Sequence, residues 1–101
     1  MENRERKARG CAMRTTNRNT AAACREMGLQ IGDTIIGRAA CKGWWHEAAL
    51  TLIWLGDVTA VFREVVRTDR EPEWRPLNSE TANWDLTWRD WRRAEPGEVT
   101  V

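Results

Sequence analysis

The run Ala49-Leu-Thr-Leu-Ile-Trp-Leu55 constrains the fold more than any other part of the chain. Side chains alternate across a strand with a period of two, so Leu50, Leu52 and Trp54 share one side and Thr51, Ile53 and Leu55 the other. Both sides are largely apolar, which predicts a strand covered on both faces. Gly56-Asp57 follows as a tight turn, and Val58 to Arg67 reads as the next strand. In that strand Val58, Ala60, Phe62 and Val66 alternate with Thr59, Val61, Arg63, Val65 and Arg67. Glu64 interrupts the apolar side and predicts an end open to solvent.

The flanking segments complete a small domain. Asn19 or Thr20 can cap a helix through Ala21 to Met27, and Gly28 supplies a left-handed stop. Two turns of helix do not stand alone in water, so Ala23, Met27 and Leu29 must dock on an apolar surface. Gly32-Asp33 marks a turn, Thr34 to Arg38 a first strand, and Ala40 to His46 a loop holding Gly43 and two adjacent tryptophans. Thr68 to Ser79 is dense in charge and carries Pro72 and Pro76, which predicts a loop around Trp74. Trp84, Leu86 and Trp88 alternate in a last strand from about Asn83 to Trp91, where Trp91 breaks the alternation. The expectation is an α+β fold: a short N-terminal helix packed on a curled four- to five-stranded antiparallel sheet. An SH3-like barrel would limit the exposed edges. Tryptophans 54, 84 and 88 are expected to build much of the core, each burying on the order of 200 Å².

Composition sets the limits. A chain of 101 residues, 42% hydrophobic and 31% charged, suits one domain and excludes a multidomain enzyme and a fully disordered polypeptide. No apolar run approaches the roughly 20 residues of a membrane helix, and no apolar segment follows the first basic residues as a signal peptide requires. The net charge of +1 is unevenly spread. Residues 1–18 hold six basic and two acidic side chains, whereas the remainder holds ten basic and thirteen acidic. The expected organisation is a flexible basic leader over 1–18, a domain over 19–93 and a frayed polar tail over 94–101. Periodic sequence begins only after Met13, which is a candidate start. Cys11, Cys24 and Cys41 are odd in number and lack CxxC spacing, which predicts free thiols in a reducing compartment, here the cytoplasm. With one histidine, a four-ligand metal site is not expected.

The catalytic inventory is thin. Ser79 is the only serine, His46 the only histidine, and tyrosine is absent. Ser79 with His46 lacks a nucleophile-elbow sequence, and the closer pair is Cys41 with His46. Carboxylates such as Asp85 and Asp90 have Arg89, Arg92 and Arg93 nearby and read as surface ion pairs. Neither catalysis nor a cofactor is therefore expected. Binding fits better. Lys42, Gly43, Trp44, Trp45 and His46 form an aromatic, partly basic loop. If that stretch is extended, Trp44 and Trp45 point to opposite faces, so one of them is exposed or caps the sheet. Arginine far outnumbers lysine, of which only Lys7 and Lys42 occur, and its planar fork stacks on rings and pairs carboxylates. The candidate binding residues are Arg38, Lys42, Trp44, Trp45, His46, Trp74, Arg75, Asp90 and Trp91.

The segments Asn19-Thr-Ala-Ala-Ala-Cys24, Gly32-Asp33-Thr34, Gly37-Arg38, Leu50-Thr-Leu-Ile-Trp-Leu-Gly56, Pro72-Glu-Trp74, Asn83-Trp-Asp-Leu86 and Arg89-Asp-Trp-Arg92 follow one another along the chain. Taken together they resemble a family of small uncharacterised proteins of tailed phages and prophages. The resemblance spans roughly residues 17–93 and leaves the basic leader outside. It implies a phage origin and no particular activity. The layout is also similar to that of phage proteins that inhibit Thoeris defence by sequestering a cyclic nucleotide signal. The matching positions are Arg38, Gly43, Trp44, Asp85, Asp90 and Trp91, but Trp45-His46 stands where small polar residues are expected and the apolar strands are longer.

Three expectations follow for function. The first is a non-enzymatic phage accessory protein that binds and inhibits a host bacterial protein, a component of anti-phage defence, in the host cytoplasm. Tryptophan and arginine are both favoured at binding hot spots. The second is a binder of a nucleotide-type signalling molecule, with a tryptophan for the base and an arginine for phosphate. The third is a nucleic-acid binder using the basic arm, which the net −3 of the body opposes. Exposed tryptophans also leave room for a homo-oligomer.

Overall fold

A computed structural model describes residues 13–100. Helix α1 (Thr20–Glu26) is followed by strands β1 (Thr34–Cys41), β2 (Trp44–Leu55), β3 (Ala60–Thr68) and β4 (Arg75–Ala82). A short 3-10 turn, Leu86–Trp88, then leads into β5 (Trp91–Arg93). The strands form one antiparallel sheet in the order β4-β3-β2-β1-β5. The sheet does not close: β4 and β5 are its two edges, so the barrel expectation gives way to an open sheet.

The helix is built as its sequence dictates. The Asn19 side chain accepts from the Ala22 amide at 3.0 Å, and Gly28 takes a φ of +70° just beyond the C-cap. Arg93 donates to the Met27 and Gly28 carbonyls, both at 3.1 Å, and pairs with Asp33 at 2.9 Å, fastening β5 to the end of the helix. Ala23, Cys24 and Leu29 pack with Ile35, Leu50, Leu52, Ala60, Phe62, Leu86 and Trp91. Burial pushes the Cys24 thiol up to about 11. Cys24 and Cys41 are free thiols, and Cys11 lies outside the described residues.

Cross-strand rows define the two faces of the sheet. The rows Ile35–Leu50–Glu64, Gly37–Ala48–Val66 and Ala39–His46–Thr68 face the helix side. The rows Ile36–Ala49–Val65 and Arg38–Glu47–Arg67 face the other side. That second face has its own small core, in which Trp74, Ala94 and Val99 pack on Ile36, Ala49 and Val65.

Several expectations need correction. The Ala40–His46 loop is strand almost throughout, a hairpin whose turn is only Lys42-Gly43, with Gly43 at a φ of +86°. The Thr68–Ser79 loop shrinks because Arg75–Ala82 adds an edge strand despite Pro76, which an edge position tolerates. The expected strand over Asn83–Trp91 is instead a left-handed turn at Asn83, a 3-10 turn and the start of β5. Trp91, not Trp54 or Trp88, is the largest fully buried side chain. A register shift between Leu52 and Trp54 turns Trp54 out, and it is 53% exposed. Glu64 is buried rather than at an open end.

Both ends of the described chain are tied to the domain. Met13 bridges to Trp91, and the hydroxyl of Thr15 donates to Glu26 at 3.1 Å, so the leader expectation fails for 13–18; residues 1–12 lie outside the described residues. The tail expected to fray is held by Arg92, which donates twice to Glu98 (3.0 and 2.6 Å), and by the Trp74 indole, which donates to the Glu98 carbonyl at 3.2 Å. Among the described residues no helix is long and apolar enough to cross a membrane.

Candidate functional site

On the helix side, the sheet carries a polar and aromatic cluster centred on Arg89. The backbone leaves β4 through Asn83, whose φ of +57° is stabilised by a paired contact with Ala60: the Asn83 amide donates to its carbonyl at 2.8 Å and the Asn83 side chain accepts from its amide at 3.0 Å. Asp85 then caps the 3-10 turn, accepting from the Thr87 amide at 3.0 Å and the Thr87 hydroxyl at 2.6 Å. These two bonds hold the Asp85 carboxyl below the usual carboxylate range. The tight turn throws Trp88 outward, 77% exposed.

Trp84 forms the platform beneath. Its ring meets Trp91 edge-on at 5.1 Å and Trp88 at 6.4 Å. Its indole N–H approaches the buried Glu64 carboxylate at 3.4 Å, and Asn78 approaches the other oxygen at 3.4 Å. The Arg89 guanidinium lies over the Trp84 ring at 5.3 Å and donates to the Gly37 carbonyl at 3.1 Å. A second Arg89 nitrogen stands 3.4 Å from His46 Nδ1. Burial first, and then the Arg89 charge, lower the His46 pKa. Arginine can only donate, so this contact calls for an unprotonated Nδ1, the form that the lowered pKa favours.

The opposite face carries a charged row. Glu47, buried in the middle strand, accepts from Arg38 Nε at 3.2 Å through one oxygen and from Arg67 Nε at 2.8 Å through the other. Both guanidinium groups lie over the Trp45 ring, that of Arg38 at 4.5 Å and that of Arg67 at 5.8 Å. Arg67 also stacks on Trp74 at 4.4 Å. Beside this row opens a cleft of about 400 Å³ bordered by Ile36, Arg38, Glu47, Arg67, Asp90, Trp91 and Arg92.

No protein-family model, curated protein or solved structure matches this chain.

The expected binding residues therefore separate onto two faces. Arg38, Trp45 and Trp74 belong to the charged face, with Asp90 at the rim of its cleft, where it pairs with Arg14 at 2.8 Å. Trp44 and His46 share the helix-side face, Trp44 being 44% exposed. This is the division of Trp44 from Trp45 that an extended stretch requires. Lys42 occupies the hairpin turn, and Arg75 begins β4 and pairs with Glu71 at 3.3 Å. Trp91 is fully buried in the core and also borders the cleft of the charged face. Sequence reasoning missed Glu47, Arg67, Trp88 and Arg89. Glu47 and Arg67 become visible only once β2 and β3 are extended to His46 and Thr68, because the register then places them opposite each other.

Ser79 is on the edge strand β4, two strands from His46, and the His46 ring nitrogen nearest a partner faces a guanidinium, not a nucleophile. Among the described residues no three His, Cys, Asp or Glu side chains are placed to hold a metal ion.

Proposed function

We propose that this chain is a small binding protein, without catalysis of its own, that docks on a protein partner through the Trp88 face. The observation that carries this reading is the 77% exposure of Trp88 on a rigid support. An exposed indole on a mobile loop would lose conformational entropy on binding. Trp88 instead stands on a capped turn, with its neighbour Arg89 fixed to Gly37 and Trp84 beneath it. Large aromatic rings and arginines held in place this way are the side chains that dominate binding energy at protein interfaces. Arg89 adds a guanidinium beside the ring, which suits a partner surface with carbonyl or carboxylate acceptors.

The resemblance to tailed-phage proteins supports a bacterial host protein as that partner, with inhibition of an anti-phage defence component as the consequence and the host cytoplasm as the place. Native mass spectrometry of the tagged protein recovered from a bacterial host tests the reading. The expected result is one host protein in fixed ratio, lost on Trp88→Ala. An exposed ring contributes little to folding, so that variant should stay within about 0.5 kcal/mol of the parent in stability. A complex that survives Trp88→Ala unchanged, or no stoichiometric complex at all, overturns the reading.

A further inference from the structure

The charged face holds two arginines in a way that a structural ion pair alone does not require. Glu47 takes only the Nε–H of Arg38 and of Arg67, one on each carboxylate oxygen. Among the described residues, no hydrogen bond uses the terminal nitrogens of either guanidinium group. Each guanidinium group also lies over an aromatic ring: Arg38 over Trp45 at 4.5 Å, and Arg67 over Trp74 at 4.4 Å. Two guanidinium groups are thus held by one buried carboxylate, with their outer donor edges uncommitted beside a cleft of about 400 Å³. That volume falls in the range of small-molecule sites.

We propose that this cleft is a binding site for a small phosphate-bearing molecule, with Arg38 and Arg67 as its two forks. The guanidinium fork matches the geometry of a phosphate oxyanion and can bind it through two parallel N–H···O bonds. The carboxylates nearby do not forbid this. Glu47 is offset by two cations, Asp90 is paired with Arg14, and Glu98 is taken by Arg92. Counted with these partners, four arginines face three carboxylates, and the surplus charge belongs to the Arg38–Glu47–Arg67 row. The forks are preorganised, so a ligand need not offset the loss of arginine side-chain freedom on binding. The cleft is on the sheet face opposite the His46–Arg89–Trp88 cluster, so the proposal stands or falls apart from the docking of a protein partner.

Titration of the intact protein with inorganic phosphate and pyrophosphate, followed through the Arg38 and Arg67 Nε–H and Trp45 indole resonances, tests it. Saturable shifts confined to these groups are expected at millimolar ligand, with pyrophosphate binding more tightly because it can engage both forks. Arg38→Gln leaves Arg67 to neutralise Glu47 and should weaken binding about tenfold, the loss expected of charge-assisted hydrogen bonds. Arg67→Lys keeps the countercharge on Glu47 but removes the fork, and should weaken binding with the amide spectrum otherwise preserved. Shifts that sodium chloride reproduces at matched ionic strength would overturn the site. So would parental affinity in both variants.

Discussion

Gly37 shows how one residue places two others. It lies in β1 against the ring of Trp91, and a Cβ there would come within 2.7 Å of Cζ3 and 2.8 Å of Cε3. The ring has nowhere to retreat, because it is fully buried and its indole N–H is committed to the Leu86 carbonyl at 2.9 Å. The Gly37 carbonyl, meanwhile, accepts from Arg89. The absence of a side chain thus admits the core tryptophan while the backbone anchors the candidate interface. Gly37→Ala should destabilise the domain by about 1–3 kcal/mol, the usual range for forcing extra volume into a packed core. Urea unfolding followed by circular dichroism measures this. A midpoint equal to the parent's would mean that Trp91 is less tightly seated than the structure has it. The sequence offered no hint of this pairing, since Gly37 reads as an ordinary strand glycine and Trp91 as the odd member of an alternating run.

At the scale of elements, the helix and the central strands were legible because local signals and burial agree there. Asn19, the alanine run and Gly28 specify α1, and the apolar alternation around Leu50, Leu52 and Phe62 specifies β2 and β3. Legibility failed where tertiary contacts override local pattern. The alternation of Trp84, Leu86 and Trp88 mimics a strand, yet the chain must turn back from edge β4 to reach the opposite edge at β5. Asn83 makes that reversal, since asparagine tolerates left-handed backbone better than other side-chain-bearing residues. Its side-chain oxygen also accepts from the Ala60 amide in place of a strand partner. Asn83→Gly should keep the turn and lose only the side-chain bond, about 1 kcal/mol. Asn83→Val loses the bond and adds left-handed strain, for a total of about 2–4 kcal/mol. Denaturant midpoints ordered parent, Gly, Val would support this account of the turn, and a valine variant as stable as the glycine variant would refute it. The candidate site was legible only in part for the same reason. Arg38, Trp45 and His46 stand out as residue types, but their partners Glu47, Arg67 and Arg89 are set by register and by the turn.

The whole molecule is an open sheet whose two faces are finished by different parts of the chain. The helix and Trp91 cover one face. On the other, the final segment returns over β1, where Ala94 and Val99 join Trp74 on the small second core. One ion pair fastens that return. Arg92 holds the Glu98 carboxyl below its ordinary value of 4.5 through its hydrogen bonds, and Glu98 raises Arg92 in turn. A carboxyl whose folded pKa is depressed contributes stability that is present above its unfolded pKa and is lost as the pH falls through the folded one. The fastening should therefore hold from neutral pH down to about 4.5 and loosen below it. Both side chains are partly exposed, so the pair contributes at most about 1 kcal/mol, too little to unfold the domain but enough to release a short segment. Release would uncover Trp74, whose indole N–H bonds to the Glu98 carbonyl, and shift its emission to longer wavelength while the circular dichroism of the sheet persists. Glu98→Gln should show the shifted emission already at neutral pH and no further acid transition in this window, and Trp74→Phe should remove the emission change. An acid transition unchanged by Glu98→Gln would place the fastening elsewhere. Because Trp74 also stacks on Arg67, loosening the segment should slacken one of the two guanidinium forks, which couples the C-terminal return to the charged cleft and leaves the Trp88 face independent of it.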